Sequence, residues 1–351
     1  MSVVQPAEVD RDVVDFAIVG EWMDGQGLPR GDFEQVAPLG GGTQNIMLRF
    51  ARGGRDYVLR RGPKFLRPKS NDVIRRESRI LGALDGTGVR APRVIAACDD
   101  EALIGAVFYL MEPITGFNPQ TELPELHAGD PEIRRQMGLS AVEAIARLGS
   151  LDYQALGLSD YGKPAGFLER QVPRWLGELE SYGAHEGYPG PQIPGVRQVG
   201  DWLERNRPAE WTPGILHGDC HLANIMFSYD GPQVAALVDW EMSTIGDPLL
   251  DLGWQIATRF DPGTTGAALF GKLGTVGGLP TPEDMIAHYA KFSDRDVSHA
   301  SWYTVLACFK LGIVLEGTYA RAFAGKAPKQ TGDLLHGITL ELFQKATSLI
   351  E

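Results

Sequence analysis

The chain has 351 residues, 43% of them hydrophobic and 22% charged, which suits a folded globular protein with a sizeable core and predicts two domains or one large two-lobed unit. Lys and Arg number 33 against 45 Asp and Glu, a net charge of −12. That balance argues against nucleic acid and against an anionic membrane surface as partners, while a nucleotide stays open because a metal ion compensates charge locally.

Residues 1–15 are polar and acidic, with no apolar signal core, and no uninterrupted apolar run reaches the roughly 18 residues of a membrane span. The three cysteines, Cys98, Cys220 and Cys308, lie far apart and never form Cys-x-x-Cys. They read as reduced thiols and point to a cytoplasmic location.

Residues 1–32 mix helix-forming and turn residues and are counted as a lead-in segment. Residues 33–39 read as a strand, ending in Gly40-Gly41-Gly42-Thr43-Gln44-Asn45. Two more strands follow over 46–50 and 56–61, punctuated by Gly53-Gly54. The spacing predicts a helix over 71–85, with Ile74, Glu77, Leu81 and Leu84 on one face. Strands are expected at 94–97 and 107–111, ending near Glu112-Pro113. Beyond that, helices are expected over 131–148, 165–182, 196–206, 248–259, 282–292, 299–324 and 333–349. One strand pair, 225–227 and 234–238, turns through Ser228-Tyr229-Asp230-Gly231-Pro232.

The chemistry concentrates in Gly214-Ile215-Leu216-His217-Gly218-Asp219-Cys220-His221-Leu222-Ala223-Asn224-Ile225 and in Leu237-Val238-Asp239-Trp240-Glu241. Asp219, Asn224 and Asp239 are short oxygen-bearing side chains at the ends of apolar segments. Brought together by the hairpin, they form a donor set for hard cations and an attacking hydroxyl, as phosphoryl transfer requires. His217 and His221 lack further ligands at zinc-like spacing and read as hydrogen-bonding partners that hold Asp219 in place.

In the first lobe, Glu77 shares a helix face with apolar residues, and a buried carboxylate needs a cation. Val58 and Arg60 share a face of the third strand. The glycine cluster at 40–42 lets backbone amides approach phosphates but matches neither a dinucleotide fingerprint nor a Walker loop.

His217-Gly218-Asp219-x-His221-x-x-Asn224, Asp239-Trp240-Glu241 and Gly246-Asp247-Pro248-x-x-Asp251-Leu252 together closely resemble the aminoglycoside phosphotransferase family. The match is nearest to its branch of kinase-like domains, some of which are fused to acyl-CoA dehydrogenases. It runs from about Phe33 onward. It implies an α+β, bilobal protein-kinase-like fold: a small antiparallel-sheet lobe at 33–113 that binds nucleotide, and a larger, mainly helical lobe at 114–351 that carries catalysis and the acceptor.

The resemblance makes Asp219 the catalytic base and Asn224 and Asp239 the Mg2+ ligands. Gly41, Gly42, Thr43, Gln44 and Asn45 would cover the nucleotide phosphates. Arg60 would take the place of the kinase lysine beside Glu77, with Arg61 as runner-up. Val58 and Met111 would pack on the base, and the backbone of Met111, Glu112 and Ile114 would bond the purine. Trp240-Glu241 replaces the Phe-Gly of protein kinases, which implies a constitutively assembled site. Gly246-Asp247-Pro248 reads as a helix start, with Asp251 in the first turn, where its charge suits the dipole. Arg170, Arg174, Trp302, Tyr303, Glu316, Tyr319 and Arg321 belong to the regions expected to line the acceptor side.

The implied reaction moves the γ-phosphoryl group of ATP, with GTP open, to a hydroxyl of a small molecule such as an aminoglycoside-like compound, a hydroxyacyl-CoA or another metabolite. The alternative is a catalytically weak nucleotide-binding regulatory module, favoured by arginine where the family commonly has lysine. The sequence leaves the oligomeric state open.

Overall fold

The computed structural model describes residues 13–40 and 45–351. The chain divides into two compact units, Met1–Thr115 and Gly116–Glu351.

The first unit opens with a helix that the sequence reading left inside the lead-in. Asp15 caps α1 (Phe16–Gly25), its Oδ1 accepting the amides of Ala17 at 2.9 Å and Ile18 at 3.3 Å. Five antiparallel strands follow: β1 (Glu34–Pro38), β2 (Ile46–Arg52), β3 (Arg55–Arg61), β4 (Val94–Cys98) and β5 (Phe108–Met111). Their spatial order is β1-β2-β3-β5-β4. Val14, Val19 and Met23 share a core with Leu48, Phe50, Tyr57, Leu59, Phe108 and Leu110. The loop after α1 is tied to β2 by Arg52, which reaches Asp24 at 2.7 Å and the carbonyls of Gly31 at 3.0 Å and Pro29 at 3.1 Å.

Helix α2 (Ser70–Leu84) buries Ile74, Glu77, Ile80, Leu81 and Leu84, the expected face. A short α3 (Glu101–Ile104) fills the β4–β5 connection.

The second unit is mainly helical. After α4 (Glu125–Gly129) and α5 (Pro131–Gly149) come α6 (Gln171–Ser181) and α7 (Val196–Arg205). The sequence reading started α6 at residue 165. Residues 165–170 form turns instead, because Gly166 has φ +65° and Arg170 folds back onto the carbonyls of Ala165 and Lys163.

Two short ribbons interrupt the helices. Strands β7 (Ile225–Phe227) and β8 (Val234–Leu237) form the expected hairpin. Strands β6 (Gly214–Leu216) and β9 (Thr244–Gly246) pair antiparallel around it, with Gly214 opposite Gly246 and Leu216 opposite Thr244. The remaining helices are α8 (Leu249–Ala257), α9 (Gly271–Val276), α10 (Pro282–Tyr289), α11 (Ala300–Phe323) and α12 (Lys329–Ile350).

By length and composition, residues 297–323 are apolar enough to cross a membrane. Most of that stretch is buried, however, and α11 is the helix around which α8 and α12 pack.

Candidate functional site

The site in the second unit is built on the β6–β9 ribbon. β6 ends at Leu216, and the chain turns through His217 and Gly218 to present Asp219. Gly218 has φ +85°, and a Cβ there would lie 2.4 Å from the Met242 carbonyl oxygen, so only glycine fits this turn. Asn224 closes a 3-10 turn at Leu222–Asn224 and leads into β7. Its Nδ2 donates to the Asp219 carbonyl at 2.9 Å and to Asp219 Oδ2 at 3.0 Å. The structure thus joins two of the three predicted residues directly.

Asp239 follows β8. The Val238 amide donates to the Asn224 carbonyl at 2.9 Å, which places the start of β7 beside the end of β8. Asp239 has φ 65° and ψ 68°, a left-handed conformation uncommon for a residue with a side chain and a recurrent mark of functional turns. Trp240 next to it is fully buried, donates Nε1–H to the Leu237 carbonyl at 2.8 Å and packs on His217 with ring centroids 4.8 Å apart.

The histidines hold this loop as the sequence suggests. His217 Nε2 lies 2.9 Å from the Val238 carbonyl. Burial lowers its pKa to about 4, against the opposing pull of Asp219, of the Val238 carbonyl and of Asp239, so the ring is neutral and Nε2–H is the donor. His221 Nε2 sits 3.5 Å from Asp219 Oδ1. For Asp219, burial acts to raise the pKa, but His221, His217 and Lys310 outweigh it, and the net shift is downward. Asp219 is therefore an ionised carboxylate at neutral pH. Cys220 turns inward, where burial pushes its thiol well up, so it is no nucleophile.

Asp251 lies in the first turn of α8, as read, and does more than suit the dipole. It is 1% exposed and accepts the amides of His217 at 2.6 Å and Gly218 at 2.9 Å. Asp247 likewise does more than start α8: its Oδ1 accepts the Leu249 amide at 3.1 Å and its Oδ2 the Tyr303 hydroxyl. Tyr303, Trp302 and Glu316, considered for the acceptor side, are all at most 3% exposed. Glu316 is held by the Tyr188 hydroxyl at 2.6 Å and by His336 at 2.7 Å.

In the first unit, Arg60 Nε donates to Glu77 Oε2 at 2.7 Å, with side chains 8% and 2% exposed. Alternation along β3 and helical spacing along α2 meet there as expected. Arg61, the runner-up, is spent on the carbonyls of Val13 at 2.6 Å, Gly62 at 3.2 Å and Ile104 at 3.3 Å. Val58 and Met111 are register partners on neighbouring strands, 2% and 8% exposed.

The Glu112 amide donates to the Arg93 carbonyl at 2.9 Å, and its carboxylate takes Arg55 at 2.8 Å and Arg93 at 3.3 Å. It has no amide left for a base. Ile114 is half-buried and makes no backbone hydrogen bond among the described residues. Asn45 stands half-buried immediately before β2, and Gly41, Gly42, Thr43 and Gln44 lie outside the described residues.

Asn224 and Asp239, the residues expected to hold Mg2+, both carry side-chain oxygen, the donor type that ion takes. Asn224, with its amide nitrogen committed twice to Asp219, keeps Oδ1 without a hydrogen bond among the described residues.

The sequence reading missed Lys310. It is 7% exposed and donates to the Gly218 carbonyl at 3.1 Å. A lone lysine in the largely apolar run of residues 302–315 was the available signal.

Acyl-CoA dehydrogenase family member 11 of Homo sapiens is 31% identical over 339 residues, covering 95% of this chain and 42% of that protein. Family member 10 of Mus musculus is 31% identical over 281 residues, covering 79% of this chain and 25% of its own length. The chain thus spans less than half of these curated relatives.

Among solved structures, a candidate aminoglycoside phosphotransferase from Ralstonia eutropha JMP134 is 28% identical with a TM-score of 0.77, covering 95% of this chain and 98% of that one. The GDP and kanamycin complex of APH(2'')-IIIa shares the fold at 16% identity and a TM-score of 0.61, over 93% of this chain and 98% of that chain. Residues 35–283 match the phosphotransferase enzyme family model, APH. With that match over most of its length and an α+β, kinase-like architecture, this chain belongs to the aminoglycoside-phosphotransferase family of phosphotransferases.

Proposed function

We propose that the chain transfers the γ-phosphoryl group of Mg-ATP to a hydroxyl of a small molecule. The carrying observation is the Asp219–Asn224 pair: an ionised carboxylate, oriented by an amide whose own oxygen stays available to a cation. In this reading Asp219 accepts the proton of the attacking hydroxyl, and Asn224 and Asp239 hold Mg2+. The metal supplies charge neutralisation at the phosphate oxygens. Arg60, oriented by Glu77, is assigned to a phosphate, as are the residues of 41–45. Val58 and Met111 pack on the base. The Ile114 amide is the donor offered to it, since that of Glu112 is committed.

A hydroxyacyl-CoA, suggested by the acyl-CoA dehydrogenase names of the curated relatives, stands beside an aminoglycoside-like compound as a candidate acceptor. The test is Mg-ATP turnover against a panel of hydroxyacyl-CoA and aminoglycoside compounds. Native protein should form a phosphorylated product and stop when EDTA removes the metal. Asp219→Asn should lower transfer by about 10²–10⁴-fold. Turnover that survives either treatment rejects the assignment. A melting temperature raised by Mg-ATP with no product would instead identify a binding module.

A further inference from the structure

Lys310 lies mid-way along α11, and its surroundings explain why a cation is kept in that core. Gly253 of α8 makes the position possible: a Cβ there would lie 2.4 Å from the Tyr303 carbonyl carbon and oxygen, so only glycine lets α8 and α11 run this close. Two turns along α11 from Tyr303, Lys310 reaches Gly218. Its Nζ also sits over the Trp254 ring, 4.4 Å from the centroid, with Trp175 at 5.7 Å. Burial lowers its pKa to about 8, opposed by the charges of Asp219 and Asp251, so it remains cationic at neutral pH.

No direct ion pair to Lys310 occurs among the described residues. Its counter-charge acts through the backbone instead. Gly218 gives its amide to Asp251 and its carbonyl to Lys310. The turn is thus gripped from one side by an anion and from the other by a cation. The Gly218 carbonyl and the Asp219 nitrogen share one rigid peptide plane, so fixing that carbonyl fixes the plane from which the Asp219 carboxylate projects.

We propose that Lys310 is a positioning residue for phosphoryl transfer, clamping the Gly218–Asp219 peptide against Asp251 so that the Asp219 carboxylate is aimed before substrate arrives. The proposal rests on Asp219 being the base. A lysine serving only as core filling would leave the loop indifferent to its charge, and methionine would then replace it at little cost.

The experiment compares native chain, Lys310→Met and Lys310→Gln by amide hydrogen exchange and by Mg-ATP turnover, with water or an added hydroxyl compound as acceptor. In Lys310→Met, exchange at His217, Gly218 and Asp219 should quicken by about tenfold or more, while α12 keeps its native protection. Its kcat should fall roughly 10–100-fold with KM for ATP within about twofold. Lys310→Gln keeps a donor without the charge and should fall between the two, which also covers a methionine variant that does not fold. Native exchange and native kcat in either soluble variant overturn the clamp. Absence of turnover in the native chain would instead reject the phosphotransferase reading, and the exchange data would still decide whether the clamp exists.

Discussion

Arg60 and Glu77, 17 residues apart in sequence, form a buried ion pair with Nε 2.7 Å from Oε2. Taking one member from so dry a pair leaves the other a buried charge that has lost its close counter-ion at 2.7 Å. Glu77→Ala should therefore destabilise the protein by about 3–5 kcal/mol in urea unfolding. Replacing both residues together, Arg60→Met with Glu77→Met, should recover most of that loss while abolishing the melting-temperature gain from Mg-ATP. Full nucleotide protection in the double variant would show that Arg60 has only a packing role.

The turn into Asp219 gives a second expectation. Gly218→Ala adds a methyl group 2.4 Å from the Met242 carbonyl at a backbone φ of +85°. The strain should cost about 1–3 kcal/mol and move the Asp219 carboxylate. Turnover should fall much further than nucleotide affinity. Equal losses in both would mean that the change is global.

Asp251 and His217 titrate in opposition. Burial raises the Asp251 carboxyl to about 6 against the opposing hydrogen bonds from Gly218 and His217, and lowers the His217 ring to about 4. A carboxyl raised on folding contributes stability that is fully present below its unfolded value of about 4 and lost as pH rises through 6. A histidine lowered on folding acts the other way: its stability is present above about 6.5 and lost as pH falls toward 4. The two largely cancel in the native chain. Asp251→Asn removes one of them. The native advantage over that variant should grow by about 2 kcal/mol between pH 7.5 and pH 4.5. Denaturation curves at the two pH values check this, and a constant difference would contradict the raised carboxyl.

The legible parts of this molecule are those whose pattern is local. Helical spacing put Glu77 inside with Ile74, Leu81 and Leu84, strand alternation put Arg60 on a face with Val58, and a five-residue turn marked the β7–β8 hairpin. Three-residue strands separated by some 30 residues carry no such pattern, so the pairing of Gly214 with Gly246 was invisible. Helix α1 was hidden by Gly20 and Gly25, which weaken its helical signal. Asp251 had a sufficient local explanation as a first-turn acid, and only packing shows that it takes the amides of His217 and Gly218. Lys310 could be seen as an oddity in an apolar helix, but only packing shows which way it reaches.

Helix α1 bears on how this protein is handled at the bench. The family match begins at residue 35, yet Phe16 lies edge-on to Phe50, Trp22 edge-on to Phe108, and Val19 and Met23 are fully enclosed. A gene trimmed to the family boundary would strip that lid from the sheet and leave an oily face open to water, an invitation to inclusion bodies. Cloning should start ahead of Val13, because Val14 belongs to the core, the Val13 carbonyl takes Arg61 and the Asp15 carboxylate seeds the helix.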